Sequence, residues 1–99
     1  MVNNGLLVTL VAKPGQEDTV ADFLKSGLEV ANRESGTLVW FALQLDERTF
    51  GIFDAFADDA ARTAHLQGDL AAALMAKAPE LFSTPPDIKK VQVLAAKGA

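Results

Sequence analysis

Cysteine is absent from this 99-residue sequence. Its absence excludes disulfides, thiolate metal ligands and a cysteine nucleophile, and it is typical of a protein from a reducing cytoplasm. Basic residues are also few, with 9 Lys and Arg against 13 Asp and Glu and a formal net charge of -4. This charge balance argues against phosphate backbones and anionic membrane surfaces as partners. We therefore predict a cytoplasmic protein that binds neither nucleic acid nor membranes.

Several catalytic motifs are missing as well. The sequence has no Gly-rich phosphate loop, no GxSxG, no HExxH and no two histidines at metal-ligand spacing. The apolar run 6–12 lacks a preceding basic segment and ends at Lys13-Pro14-Gly15, so we expect neither a signal peptide nor a membrane span there. Nucleotide, hydrolase and metal chemistry therefore lack their machinery, so we predict no metal, and any enzyme built on this sequence has to use few groups.

Hydrophobic periodicity predicts a strand, a helix and a hairpin in the first part of the chain. The apolar run 6–12, which ends at a Pro-Gly pair, is typical of a strand buried on both faces. From 20 to 31 the apolar residues recur every three or four positions, which indicates an amphipathic helix. Two runs rich in β-branched and aromatic residues, 37–45 and 49–57, flank a turn at 46–48 and predict a β-hairpin.

The second part of the chain predicts a broken helix and a last strand. Asp58 is placed as the N-cap of a helix that runs through His65 and is broken or bent at Gly68. Pro79 is expected to kink the continuing helix or to begin a new turn. The stretch 88–95 then closes the chain as a strand.

This element order folds most economically as one ferredoxin-like α+β domain over 1–99, a βαββαβ unit with a four-stranded antiparallel sheet and its helices on one face. Apolar residues nevertheless occupy both alternating sets of the strands, as with Leu6 and Leu7 in the first and Trp40 and Phe41 in the second. A monomer would expose an apolar patch beyond the few hundred Å² that monomers tolerate. We therefore predict a homodimer through sheet faces, and the sequence leaves open which face the two chains share.

His65 and Asp54 are the two candidates for chemistry. His65 is the only side chain with an ordinary pKa near neutrality, which suits a general acid or base, although a lone helical histidine is more often a partly buried structural residue. Asp54 interrupts the large apolar side chains that alternate along 50–56, and a carboxylate there needs a partner. Arg62 or His65 on the following helix could reach it. Alternatively, Asp54 anchors the start of that helix through backbone amides.

Three further residues have the chemistry to contact a substrate. Trp40 offers a flat apolar surface for stacking on an aromatic ring, or else it packs in the core. A hairpin loop of even length would put Trp40 on the face of Phe53, and an odd one would put it on the face of Asp54; the sequence leaves this register open. Arg62 and Arg48 could hold an anionic substituent or serve only solubility.

The segment 50–58, followed by Ala61 and His65, resembles the antibiotic biosynthesis monooxygenase domains of the dimeric α+β barrel superfamily. In those domains the third strand carries an acidic residue, an aromatic and an Asp, and a helical histidine follows the aromatic by nine positions. The matching residues are Asp54, Phe56, Asp58 and His65. Similarity to a bacterial branch of quinol monooxygenases extends through 68–74, Pro85-Pro86 and 91–95.

Two positions depart from the family pattern. Phe56 stands where many relatives carry Trp, and Asp54 replaces the commoner Glu, so pocket shape and acidity differ. The haem-degrading relatives use that Trp together with an Asn on the first strand, where this chain has Leu6 and Leu7. The resemblance therefore does not extend to haem degradation.

What the resemblance implies is a dimeric α+β barrel that oxidises quinols or other phenolic aromatics with O2 and without a cofactor. His65 would be the base that forms the phenolate, or the hydrogen-bond partner of that base, and Asp54 would orient it. The residues assigned to the substrate pocket are Trp40, Phe41, Phe53 and Phe56, with Arg62 as a weaker candidate. Two other functions stay open on this scaffold. One is a noncatalytic barrel that binds an aromatic metabolite in a stress or pathway-accessory role, and the other is an isomerase or cyclase that consumes no O2.

Overall fold

The chain folds into one antiparallel sheet with helices packed on one face, in a computed structural model that describes residues 2–98. The elements in chain order are β1 (Asn4–Val11), α1 (Glu17–Asn32), β2 (Thr37–Gln44), β3 (Thr49–Phe56), α2 (Asp59–Leu66), α3 (Asp69–Leu81) and β4 (Asp87–Gln92). This is the predicted ferredoxin-like α+β order, with the second helical region divided into α2 and α3. Met1 and Ala99 of the predicted 1–99 domain lie outside the described residues.

The four strands are ordered β2-β3-β1-β4, and each neighbouring pair is antiparallel. Asp54 of β3 is paired with Leu6 of β1 on one side and with Trp40 of β2 on the other. Directly opposite residues project to the same face of a sheet, so these three side chains lie together beneath the helices. The core therefore forms between this sheet face and the apolar stripes of α1 and α3.

The core is built from the alternating residues that the sequence pattern selects. Val20 and Leu24 of α1 pack with residues of β1 and β3 that are 6% exposed or less, such as Leu10 and Phe50. Gly27 allows α1 to approach closely, since a Cβ atom there would lie 3.1 Å from Leu70 Cδ1 and 3.4 Å from the Trp40 ring. Leu28, which the periodicity placed on the same stripe, is instead 48% exposed at its edge.

The predicted helix cap at Asp58 and the predicted break at Gly68 are confirmed. The Asp58 side chain accepts a 2.8 Å hydrogen bond from Ala61 N and caps α2. Gly68 separates α2 from α3, and Pro79 lies inside the last part of α3. Within residues 2–98, no helix combines the length and the apolar character needed to cross a membrane.

β4 ends earlier than predicted, at Gln92 rather than at 95. Val93 N still donates to Asn3 O at 2.8 Å, but β1 begins at Asn4. The last strand therefore has little further backbone to pair with, which explains why an apolar sequence of good β propensity leaves the sheet there.

The face of the sheet opposite the helices exposes large apolar side chains among residues 2–98. Leu7 of β1 is 41% exposed, and Phe41 and Leu43 of β2 are 52% and 43% exposed. Phe53 of β3 is paired with Phe41 on this face and is half-buried. We call this surface the free sheet face.

Candidate functional site

Asp54 lies in the centre of the sheet face beneath the helices. It alternates along β3 with Phe50, Ile52 and Phe56, and its own side chain is only 1% exposed. Removing a carboxylate from water costs free energy unless hydrogen bonds or an opposite charge compensate for it. The partner of Asp54 therefore decides what this site can do.

That partner is His65. Asp58 caps α2 and fixes where it starts, and His65 comes almost two turns later on the helix face that packs on the sheet. Its Nε2 lies 3.0 Å from Asp54 Oδ2, and its side chain is 8% exposed. The Phe56 ring packs beside the imidazole with 5.2 Å between ring centroids. Because Asp58 caps the helix, Asp54 does not serve as the helix anchor that was the alternative explanation for it.

A second carboxylate holds the other side of the imidazole. Glu34, just after the C-terminal end of α1, places Oε1 2.5 Å from His65 Nδ1. Thr37 Oγ1 donates to the same carboxylate oxygen at 2.9 Å. Both ring nitrogens of His65 are thus engaged by carboxylates, in a chain of contacts that runs Glu34–His65–Asp54.

The two carboxylates set the charge of the ring. Burial lowers the pKa of His65, but the hydrogen bonds and negative charges of Asp54 and Glu34 outweigh burial and raise this pKa above its ordinary value of 6.5. The imidazolium form is therefore favoured in the folded protein, between two anionic groups.

This raised pKa predicts a fall in stability as the pH rises. His65 has a pKa of about 6.5 in the unfolded chain, and below this pH its protonation contributes fully to the stability of the fold. That contribution is lost as the pH rises through the higher pKa that His65 has in the folded protein. The sequence has one His and no Cys, so no other side chain with an ordinary pKa titrates in this range. We expect urea unfolding to give a free energy that decreases above about pH 6.5, and His65→Gln to flatten this dependence. A wild-type free energy that stays level or increases with pH would contradict it.

An apolar pocket opens beside Asp54, between the sheet and the helices. Its volume is about 30 Å³, which is room for roughly one water molecule. Asp54 Oδ1 and Trp40 Nε1 are buried, and neither has a hydrogen-bond partner among residues 2–98. We call this cavity the inner pocket. The other side chains lining it are mainly those of Leu6, Val8, Phe23, Leu24, Ile52, His65, Leu66, Leu70, Leu74 and Ile88.

A larger and more open groove lies on the other side of the imidazole. It encloses about 540 Å³ and runs between the end of α1 and the α2–α3 junction. We call it the outer groove, and its polar lining is contributed by Arg33, Glu34, Ser35, Thr37, His65 and Asp69. His65 lines both cavities, whereas Asp54 lines only the inner pocket and Glu34 only the outer groove. The imidazole thus forms part of the wall between them.

The register of the hairpin decides the place of Trp40. Residues 45–49, an odd number, separate the last cross-strand pair, Gln44 and Phe50. Trp40 therefore shares the face of Asp54 and lines the inner pocket.

The same register moves two predicted pocket residues away from the site. Phe41 and Phe53 lie on the free sheet face, one strand position out of phase with Asp54. The pocket-wall role predicted for them does not apply to the inner pocket, because neighbouring residues of a strand project to opposite faces.

Arg62 does not reach Asp54 either. Its Nη1 donates to Gly5 O and Val91 O at 3.3 Å, and its Nη2 contacts Asp59 Oδ1 at 2.8 Å. Arg62 thus ties α2 to the strands β1 and β4. Arg48 is half-exposed and forms a surface contact with Glu17 at 3.6 Å.

The sequence alone did not identify Glu34, because nothing in the local pattern just after the first helix indicates a functional role. Its contact with His65 spans 31 positions, and no local pattern joins the two. The available signal was a pair of glycines that permit close approach. A Cβ atom at Gly36 would lie 3.2 Å from Ala61 Cβ, and one at Gly68 would lie 3.1 Å from Glu34 Oε2.

The fold and sequence are similar to those of several solved proteins. A protein of unknown function from Nitrosomonas europaea is 61% identical, with a TM-score of 0.95, over 98% of this chain and 94% of that one. Two more distant structures carry the name "Putative antibiotic biosynthesis monooxygenase". The one from Nitrosomonas europaea is 16% identical over 97% of this chain and 94% of that one, with a TM-score of 0.84. The one from Chloroflexus aurantiacus is 20% identical over 97% of both chains, with a TM-score of 0.75.

The two proteins with this name are too distant in sequence to show more than a shared fold. No protein-family model and no curated protein matches the chain. The chain belongs to the same family as the Nitrosomonas europaea protein of unknown function, and it has the ferredoxin-like α+β fold of the proteins named antibiotic biosynthesis monooxygenases.

Proposed function

We propose that this protein oxidises a quinol or another phenolic aromatic with O2, without a cofactor. The observation that carries the proposal is the buried carboxylate of Asp54, which is held by His65 at one oxygen and has its other oxygen without a partner in an apolar pocket. A phenol must lose its hydroxyl proton before it readily passes an electron to O2. A positioned base in a dry pocket is therefore the central requirement for this reaction.

Asp54, rather than His65, is the group suited to contact the substrate hydroxyl. Both ring nitrogens of His65 face carboxylate oxygens, so the ring offers no free lone pair to a phenol. Asp54 Oδ1 is free to accept the proton. Of the two roles that the family resemblance implies for His65, this assignment takes the hydrogen-bond partner of the base, because His65 acts here through Asp54. Its positive charge then stabilises the phenolate that forms nearby.

Trp40 supplies a hydrogen-bond donor for the phenolic oxygen of the substrate. Its indole N–H is buried without a partner, and its position is directly opposite Asp54 on the neighbouring strand. Directly opposite Cβ atoms lie about 4.5–5.5 Å apart, so one small group can contact both side chains. A phenolic hydroxyl fits this pair, since it donates to Asp54 and accepts from Trp40. The indole N–H then also stabilises the phenolate oxygen after proton transfer.

The redox chemistry is carried by the substrate and O2. A hydroquinone gives two electrons and two protons to O2, which yields the quinone and hydrogen peroxide. For a phenol with one hydroxyl, one atom of O2 enters the ring as the second quinone oxygen and the other leaves as water. In either case Asp54 returns its proton to reduced oxygen, and the site regains its starting protonation state.

Substrate binding requires the inner pocket to widen. A cavity of roughly 150 Å³ accommodates benzene, whereas the inner pocket has about 30 Å³. Phe23 is only partly buried and Ile88 is 40% exposed, so these wall residues can move at modest cost. We place the entrance between them.

Oxygen uptake tests the proposal directly. With a panel of hydroquinones and dihydroxynaphthalenes, we expect uptake above the autoxidation rate together with the quinone absorbance. His65→Ala should lower kcat/KM by about 10²-fold or more, because Asp54 loses the group that orients it and stabilises the phenolate. Arg48→Ala, at the exposed surface, serves as the matched control. No uptake with any member of the panel would overturn the proposal. Binding without turnover would favour a noncatalytic barrel, and product without O2 consumption an isomerase or cyclase.

We further propose that the free sheet face pairs with a second copy of the chain. Three of its large apolar side chains, Leu7, Phe41 and Leu43, are each more than 40% exposed. A contiguous apolar surface of this kind is rare on soluble monomers, and a sheet packs readily on another sheet about 10 Å away. The helices occupy the opposite face, so pairing leaves the inner pocket and the outer groove of each chain unobstructed by the sheet contact.

A further inference from the structure

Glu34 is a partly buried acidic partner of His65, and neither the family motif nor the proposed function gives it a role of its own. It approaches His65 from the outer groove, and its side chain is 20% exposed. The inner pocket, where Asp54 lies, is on the opposite side of the imidazole. Glu34 does not line the inner pocket, so it can influence Asp54 only through its contact with the His65 ring.

We infer that Glu34 is a positioning residue for the Asp54 base: it holds the imidazolium of His65 in place against Asp54 while Asp54 accepts the proton of the substrate. This inference rests on the proposed function and adds a residue to it. Glu34 touches neither the inner pocket nor Asp54, so its whole effect passes through His65.

Proton transfer to Asp54 changes the charges around His65. When Asp54 accepts a proton it becomes neutral, and the buried imidazolium loses one of its two anionic neighbours. Glu34 is then its remaining counter-charge, with Oε1 2.5 Å from Nδ1 of an imidazole that is only 8% exposed. Without Glu34, His65 would more readily release its own proton, and the phenolate would lose the positive charge beside it.

The surroundings of Glu34 hold its carboxylate in one place. Thr37 Oγ1 donates to Oε1, and Gly68 leaves space for Oε2 where a Cβ atom would come within 3.1 Å. The groups that face His65 are the carboxylates of Asp54 from β3 and of Glu34 after α1, the Thr37 hydroxyl of β2 and the Phe56 ring. Arg33 and Asp69 are the other charged residues that line the outer groove.

The single histidine makes the inference measurable without activity. The chain has one His, so its ring gives one set of proton and carbon NMR signals that can be titrated. We expect Glu34→Gln, which keeps the size and an acceptor oxygen, to lower the pKa of His65. Glu29→Gln removes the same charge from an exposed site on α1 and should leave that pKa unchanged. Thr37→Val, which removes the hydroxyl that donates to Glu34 and also lies 3.4 Å from His65 Nδ1, should lower it by a smaller amount.

Kinetics supply the second measurement. In Glu34→Gln, kcat/KM for the best hydroquinone should fall about tenfold near neutral pH, and it should recover as the pH is lowered and His65 regains its proton. Glu34→Asp should restore part of the activity. An unchanged His65 pKa in folded Glu34→Gln would overturn the inference, and so would a lowered pKa with an unchanged pH profile of kcat/KM. An inactive wild type refutes the proposed function and with it the part of Glu34 in turnover, whereas an active wild type with an unaffected Glu34→Gln refutes the positioning role alone.

Discussion

Asp54→Asn is expected to lower kcat/KM for hydroquinone oxidation by about 10²–10⁴-fold, the largest effect of any single substitution in the site. The amide has the size of the carboxyl group and can still accept a hydrogen bond from His65 Nε2, which is 3.0 Å away. It cannot accept a proton from a phenol. The variant therefore removes the base while it keeps the shape of the inner pocket, and substrate binding should change much less than turnover.

Asp58→Asn is the matched control for this substitution. It makes the same chemical change four positions later, at an exposed residue whose side chain caps α2. Asn is as good an N-cap as Asp, so the helix that carries His65 should stay in place and activity should be retained. Substrate depletion and quinone formation give kcat and KM, and the NMR titration of His65 should show a lowered pKa in Asp54→Asn alone. Comparable kcat/KM values for Asp54→Asn and Asp58→Asn would remove Asp54 from the mechanism.

The element order could be predicted because strands and helices differ in the spacing of their apolar residues along the sequence. The alternation along β3 also isolates Asp54 as a polar residue on an apolar face, and the Asp58 cap fixes where α2 begins. Because a short loop and a single helix follow β3, a helix that starts there brings His65 over Asp54. These are local rules, and they are sufficient for half of the site.

The other half depends on geometry that the local sequence does not contain. The odd hairpin loop sets the faces of Trp40 and Phe41, and one residue more or less would exchange them. Glu34 meets His65 only because Gly36 and Gly68 let the end of α1 approach α2 and its junction with α3. The residues just after a helix give no indication of what they will face across the fold. The contact of Glu34 with His65 could therefore not be predicted from the sequence.

The two faces of the sheet have different surroundings. On the helix side, the apolar face is closed by α1 and α3 and contains one carboxylate that needs a cation. On the free side, Phe41 and Phe53 are directly opposite each other on neighbouring strands, and Phe41 is 52% exposed. The register that takes these rings out of the pocket thus places them where a second sheet would pack.

Phe41→Glu is accordingly expected to convert the protein from a dimer to a monomer. Phe41 is 52% exposed in the single chain and pairs with Phe53 near the middle of the free sheet face. A twofold interface would bury two such glutamates without partners, at a cost of about 4 kcal/mol or more, which raises the dimer Kd about 10³-fold.

Leu28→Glu is the control for this change, because it places the same charge on a side chain of similar exposure, 48%, on α1 and away from the free sheet face. Light scattering coupled to size exclusion at micromolar concentration should give a dimer for the wild type and for Leu28→Glu, and a folded monomer for Phe41→Glu. Circular dichroism checks that the fold is retained, since the helix-side core contains neither substituted residue. A monomeric wild type, or a Phe41→Glu protein that remains dimeric, would show that a different surface or no surface pairs the chains. Different outcomes at these two apolar positions of similar exposure would identify the sheet face, rather than hydrophobicity in general, as the cause of assembly.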